Sequence, residues 1–242
     1  RGRHAVRFRV CRRSRRPMNY TFQFSVALDK LPELLDAAVL TFELGLFAFW
    51  GGALIGLVVA AVKTFGGRLL AGIAQAYVVF ITNTPLLIQI YFLYYGLPEF
   101  GIRWSNEACL LIGLTLNAGA YLTEIMRAGF LSVRKTEMEA GETIGMSLVQ
   151  QIRYIVVPHI AKTIYPALAN FFIVILVMGT SVGAVIGVDE LTGETINLST
   201  ENYRWLEMFT LTAIIYVVLT FIASISLALI GRYGFRVKAK IF

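Results

Sequence analysis

Five stretches of this chain are long and apolar enough to cross a lipid bilayer, over about 37–62, 69–95, 108–126, 164–186 and 205–230. A helix needs about 20 predominantly apolar residues to cross the hydrocarbon core. Within lipid every backbone amide and carbonyl must find a partner inside the protein, so such runs become helices. The expected fold is therefore all-α, a polytopic membrane protein with five transmembrane helices. Composition agrees: 57% of residues are hydrophobic and 15% charged, against about 45–50% and about 25% in ordinary soluble domains.

Several spans carry residues that an apolar run does not need. The first has Gly51 and Gly52, which allow close approach of another helix in lipid. It also holds Glu43. The third holds Asn117 and Glu124. Intramembrane acids are rare and usually face a bundle interior or water-filled path. Glu124 reads equally as a helix-end ion pair with Arg127 three residues on, whereas Glu43 has no partner within four residues. Asn117 reads as an interhelical hydrogen bond or a solute contact. The second span is interrupted by Thr82-Asn83-Thr84-Pro85. Pro85 removes a backbone donor and disfavours helix at the residue before it. The interruption reads as a kink, or as an unwound segment whose free amides and carbonyls meet a solute.

The stretch Val133–His159 is the longest polar run between spans, and it reads as two short helices around a glycine. Thr136 with Glu139, and Ser147 with Gln150, have the spacing of capping boxes. Gly145 stands where a left-handed helix terminator is needed. Pro158 is expected to close the second helix. Gly141 and Gly145 are expected on exposed turns, where a partner's backbone could come close.

Charge sets the orientation. The segments after the first, third and fifth spans carry Lys63, Arg68, Arg127, Arg134, Lys135, Arg153, Lys162 and a basic tail; the other two loops carry mainly acids. The positive-inside rule puts the first set, and the C-terminus, in the cytoplasm. With five spans the N-terminus is outside. The net charge of +7 is local: of 22 basic residues eight are arginines within Arg1–Pro17, leaving 14 against 15 acids. The balance gives no argument for nucleic acid as a partner. The first 17 residues are read as a start set too early, with translation beginning at Met18.

Two cysteines, Cys11 and Cys109, and two histidines, His4 and His159, make neither a metal cluster nor a nucleophile–base pair. No phosphate-binding loop of the G-x-x-x-x-G-K-[ST] form occurs. The chain is therefore expected to be non-catalytic.

The residues Glu139-Ala140-Gly141, then Gly145, Ile155 and Pro158, resemble the EAA loop of ABC importer permeases, with Gly141 and Val157 as mild departures. Thr84-Pro85-Leu86-Leu87 with Gln89, Tyr121-Leu122-Thr123-Glu124 with Arg127, Thr180-Ser181, and Val185-Ile186-Gly187 resemble the polar amino-acid branch of that family. Thr82 stands where relatives usually have a basic residue, and Met178-Gly179 where many have Lys-Asp.

The resemblance implies a type I importer permease in a bacterial inner membrane. It implies an ATPase subunit dimer docked on Glu139, Ala140, Gly141, Gly145, Ile155 and Pro158, with ATP and Mg bound there and no cofactor on this chain. A second permease subunit and a periplasmic solute-binding protein are the further implied partners. A polar amino acid, or an opine-like derivative, would pass along Glu43, Thr84, Pro85, Gln89, Asn117, Glu124, Thr180 and Ser181. The competing reading is an autonomous ion-coupled transporter or channel using Glu43 and Glu124. The expected divisions are a non-native extension (1–17), an outer interfacial segment (18–36), the five-span domain (37–232) with its coupling loop at 133–159, and a basic cytoplasmic tail (233–242).

Overall fold

The computed structural model describes residues 20–234. The arginine-rich stretch, and with it the expected start at Met18, lies outside them, as does most of the basic tail. Among the described residues the regular structure is helical, in ten α-helices joined by short π and 3-10 segments.

A short helix α1 (Phe24–Asp29) leads into α2 (Leu31–Phe65). The expected interfacial segment 18–36 is thus partly helix: α2 begins six residues before the expected first span. Pro32 falls in its first turn, where a missing N–H is no loss, and Glu33 meets the positive end of the helix dipole. The buried residues of α2, from Leu34 through Thr41, Ala48, Gly52 and Gly56 to Ala60, recur every three or four positions and form one stripe.

That stripe packs on α5 (Asn106–Ser132). A Cβ on Gly52 would lie 2.5 Å from the Cβ of Ala118, and one on Gly56 2.9 Å from that of Leu122. The small residues therefore permit backbone contact, as expected of Gly51 and Gly52. Gly51 meets Thr115, Gly52 meets Ala118, Gly56 meets Leu122 and Lys63 meets Glu124. Both numbers rise together, so α2 and α5 are parallel.

Two parallel crossings require a return between them. It is made by α3 (Arg68–Thr82), α4 (Leu86–Tyr91), a π turn (Phe92–Gly96) and a 3-10 turn (Leu97–Phe100). The two halves meet at 99°. Four helical runs are each long enough to span, and this bent pair is the fifth crossing.

The fourth crossing is one helical run of 39 residues, Leu148–Ile186. It contains α7 (Leu148–Gln151), a π turn (Ile152–Val156), α8 (Val157–Val174), a second π turn (Ile175–Gly179) and a 3-10 segment (Thr180–Ile186). Pro158 does not close the helix as expected. Its ring would crowd the carbonyl four residues back, which belongs to Tyr154, and Tyr154 sits in the widened π turn. The turn absorbs the proline and the helix continues. This run is antiparallel to α5, since Gly183 meets Leu110, Gly179 meets Leu114, and Gly129 meets Ile160 and Ile164.

The segment 187–204, expected as a polar loop, contains α9 (Leu191–Asn202). Glu190 caps it, accepting from the amides of Thr192 and Gly193, each at 3.0 Å. The same carboxylate accepts from the hydroxyl of Tyr216, at 3.2 Å, on α10 (Trp205–Gly234). Thr41 of α2 accepts from the Leu191 amide at 2.9 Å. The fully buried Glu190 thus joins three helices. Burial pushes its carboxyl above the usual carboxylate range, and the surrounding donors partly offset this.

Leu31, Asn106, Gly187 and Trp205 end at one face of the bundle; Phe65, Ser132, Leu148 and Gly234 end at the other. Asn106 donates to the Gly187 carbonyl at the first face. There, too, residues before α1 are fastened to α10: Glu207 accepts from the Tyr20 hydroxyl and, at 3.0 Å, from the Gln23 amide. The first face carries Asp29, Glu33, Asp189, Glu194 and Glu201; the second carries Lys63, Arg68, Arg127, Arg134, Lys135 and Arg153.

Candidate functional site

The break in the second crossing is not the open backbone expected of an unwound segment. The carbonyls of Val78, Val79, Phe80 and Ile81 near the end of α3 each accept from a nearby side chain. The Thr82 hydroxyl donates to Val78 O at 2.7 Å, the Asn83 amide side chain to Val79 O at 2.8 Å, and the Thr84 hydroxyl to Phe80 O at 2.8 Å. Gln89 Nε2 donates to both Ile81 O, at 2.9 Å, and Thr84 O, at 2.8 Å. Four polar side chains thus supplement or replace backbone donors around Pro85 and the bend.

Gln89 also accepts, through Oε1, from Asn117 of α5 at 3.3 Å. Thr84, Pro85, Gln89 and Asn117 are therefore brought together. Beneath the bend lies a cavity of about 390 Å³ lined by Phe80, Ile81, Thr84, Gln89, Phe92 and Gly113, among others. Its walls are apolar apart from Thr84 and Gln89, whose polar groups are engaged as described. Gly113 lets α4 pack closely on α5: a Cβ there would lie 2.9 Å from Ile90.

The remaining expected path residues are elsewhere. Glu124 is at the basic face, paired with Lys63 of α2 and, at 3.1 Å, with Arg127. The ion pair with Arg127 is the helix-end reading of Glu124, and Lys63 of α2 joins it. Lys63 was missed as a partner because the span order makes the first and third crossings parallel but does not say that they pack against each other. Glu43 is exposed on the flank of α2 away from its buried stripe, and no described residue bonds to it. Thr180 is fully buried against Gly45 and donates to Leu176 O at 2.8 Å. Ser181 donates to Met178 O at 3.2 Å.

At the basic face, α6 (Lys135–Thr143) and α7 form the expected helix–turn–helix. Gly145 adopts φ +78°. Its amide donates to Glu142 O at 2.9 Å and that of Met146 to Gly141 O at 3.0 Å, the paired bonds of a Schellman terminator. The second capping box is present, with Ser147 and Gln150 bonding reciprocally. The first is not. Helix α6 starts at Lys135 with Arg134 as its cap, so Thr136 is already inside the first turn and cannot cap it.

Gly141 is also not on an exposed turn. It is buried, and a Cβ there would stand 3.0 Å from Ile155 Cδ1 and 3.1 Å from Gln151 Cγ. Gly141 and Ile155 thus seat α6 on the start of the fourth crossing. Gln151, 2% exposed, braces the turn by donating to Met146 O at 3.1 Å. What faces outward is Glu139, Ala140, the Gly145 turn, and an apolar cluster with Ile144 at 77% and Val149 at 73% exposure, beside Leu148. Pro158 lies behind this surface, where His159 pairs with Glu137 at 3.3 Å.

Residues 52–233 match the family model described as the inner membrane component of binding-protein-dependent transport systems. The chain is 32% identical over 213 residues to the glutamine transport system permease protein GlnP of Escherichia coli (strain K12), covering 87% of this chain and 97% of that one. It is 36% identical over 206 residues to the octopine transport system permease protein OccM of Rhizobium meliloti, covering 81% and 84%. Among solved structures it superposes on a crystal structure of an amino acid ABC transporter with histidines, with TM-score 0.81 and 32% identity over 88% of this chain and 99% of that one. An inward-facing MetNI methionine ABC transporter shares the fold at TM-score 0.63 and 18% identity. With five crossings, a self-capped break in the second and a helix–turn–helix at the basic face, the chain belongs to the family of binding-protein-dependent transport system inner membrane components.

Proposed function

We propose that this chain is the permease subunit of an ATP-driven importer and forms the path for a polar amino acid or amino-acid derivative, opines included. The relatives named for glutamine and octopine support that solute class. The observation that carries the coupling role is the surface around Gly145. A rigid, doubly bonded turn holds Ile144, Leu148 and Val149 out of the bundle, at the basic face. Apolar side chains held in water on a fixed frame suit a partner's cleft. An ATPase subunit dimer takes that position, binding ATP and Mg itself. This chain performs no covalent chemistry.

The basic face lies in the cytoplasm, the acidic face outside, and the N-terminus with it. A solute-binding protein delivers solute to the acidic face of the permease and a second permease subunit, identical or homologous. Glu43, Thr180 and Ser181, with the bend at Thr84 and Pro85, belong to the solute path.

Gly145→Asp tests the coupling role. The left-handed conformation disfavours any side chain by about 1–2 kcal/mol, and nothing lies within 4 Å to make room an issue. The variant should reach the membrane yet retain little ATPase subunit on pull-down, and uptake should cease. Normal recovery and normal uptake would remove the coupling assignment. Uptake by the purified chain under an ion gradient alone would instead establish an autonomous transporter. For orientation, a cysteine at Thr192 should react with an impermeant thiol reagent in intact cells and one at Ile144 should not; the reverse pattern overturns the topology.

A further inference from the structure

We infer that Gln89 is a positioning residue: its side-chain amide sets the angle of the broken second crossing and fastens that angle to α5 through Asn117, without itself touching solute. The inference rests on the proposed transport role for its functional consequence, but its geometric part stands alone.

The side chain has two donor hydrogens and one acceptor oxygen to place. Both hydrogens go to carbonyls ahead of Pro85, Ile81 O in the last turn of α3 and Thr84 O within the break. One nitrogen therefore bridges the end of α3 and the residue joining it to α4. The oxygen accepts from Asn117. A primary amide used in this way has no donor left for a ligand. The other three caps differ in kind. Thr82, Asn83 and Thr84 each bond within the turn of α3 that they terminate. They would persist if α4 swung away. Only Gln89, eight residues beyond Ile81, reaches back from α4.

The bond lengths rank the contacts. The two to the break are 2.9 and 2.8 Å, and the one to α5 is 3.3 Å. The long one is the weaker, so a change of tilt between the second and third crossings would first part Asn117 from Gln89 and leave the bend intact. The broken crossing then moves as one angled piece. The apolar cavity beneath the bend provides space for such a movement.

The test uses full-length permease in lipid nanodiscs, with Cys11 and Cys109 replaced. Nitroxide labels go on the exposed positions Ile73 of α3 and Phe100 beyond α4. Gln89→Met should shift the mean label separation by several ångströms and broaden its distribution, while Asn117→Leu and Asn83→Ala leave it in place. Asn83→Ala is the control, because the backbone amide of Asn83 still serves Val79 O. In the reconstituted importer, Gln89→Met should lower maximal uptake at least fivefold, with less than a twofold change in half-saturating solute. An unchanged label separation in Gln89→Met overturns the inference. So does a tenfold rise in half-saturation with the separation unchanged, since that would make Gln89 a solute contact. If the wild-type assembly takes up no amino acid, the transport reading fails while the label distances still decide the geometric part.

Discussion

The imidazole of His159 stands 3.3 Å from a carboxylate oxygen of Glu137 and so ties the first short helix of the basic face to the fourth crossing. The two residues are 22 positions apart, and the contact exists only because α6 folds back over Ile155. Both side chains are about one-third exposed, which limits such a pair to about 0–1 kcal/mol. His159→Ala should therefore leave the bundle folded and loosen α6 alone. Hydrogen exchange should quicken by up to about fivefold in residues 135–143, with α5 unaffected.

Gly52 and Ala118 give the opposite case, where a single atom decides packing. A Cβ at Gly52 meets not only the Ala118 side chain but the backbone of Gly119 at 3.0 Å, which cannot rotate away. Gly52→Val should cost at or above the upper end of the about 1–3 kcal/mol expected of overpacking. Gly72→Val, in open space on α3, should not. Thermal melting of the two variants in the same detergent separates them.

Glu124 is the shared partner of Lys63 and Arg127. Removing its charge in Glu124→Gln leaves Lys63, which is 13% exposed, as a largely buried cation. A loss of the order of 3 kcal/mol is expected. Lys63→Met alone should cost less, and the double variant should recover part of the loss. A double-mutant cycle on melting data that returns no coupling would mean the pair does not hold α2 to α5.

Glu190 supplies a pH dependence. Its folded-state carboxyl is pushed up by burial, so the folded chain binds a proton more readily than the unfolded chain. Stability attributable to this group is then present in acid and lost as pH rises through the window between the ordinary carboxylate value and the raised one. Acidifying from neutral pH into that window should raise the unfolding temperature of the wild type. In Glu190→Gln, whose amide is neutral throughout, this part of the dependence should vanish.

Much of the fold was legible because the bilayer limits the choices. Five apolar runs became five crossings, and Gly145 and Ser147 act where spacing placed them. Three kinds of statement were not legible. Whether Thr136 caps or sits one turn inside depends on whether Val133 and Arg134 stay extended, which no local rule settles. Helix α9 was hidden because Glu190 is not a preferred cap type and Gly193 lowers helix propensity. Gly193 is needed nonetheless, since a Cβ there would sit 2.0 Å from Val188 O. Contacts between crossings, such as Lys63 with Glu124, depend on which crossings are neighbours, which is a property of tertiary packing. For the candidate site, the break at Thr84-Pro85 was legible, whereas the bond of Gln89 to Asn117 and the side chains that claim the carbonyls of the break depend on how α3, α4 and α5 meet in space.

The uninterrupted run from Leu148 to Ile186 makes the fourth crossing a lever. At about 1.5 Å per residue it is roughly 58 Å long. Its tip carries the Ser147 cap and the outward apolar cluster; its far end adjoins Gly187 and the Glu190 junction. A tilt of the tip about the contacts of Gly129 with Ile160 and Ile164 is multiplied along the longer arm toward the acidic face. The run departs from regular α-helix at the two π turns and the 3-10 segment, and it carries Pro166 inside α8. These are the places where a helix bends most readily. Stiffening either π turn should therefore lengthen the stroke at the far end without changing what binds at the near one.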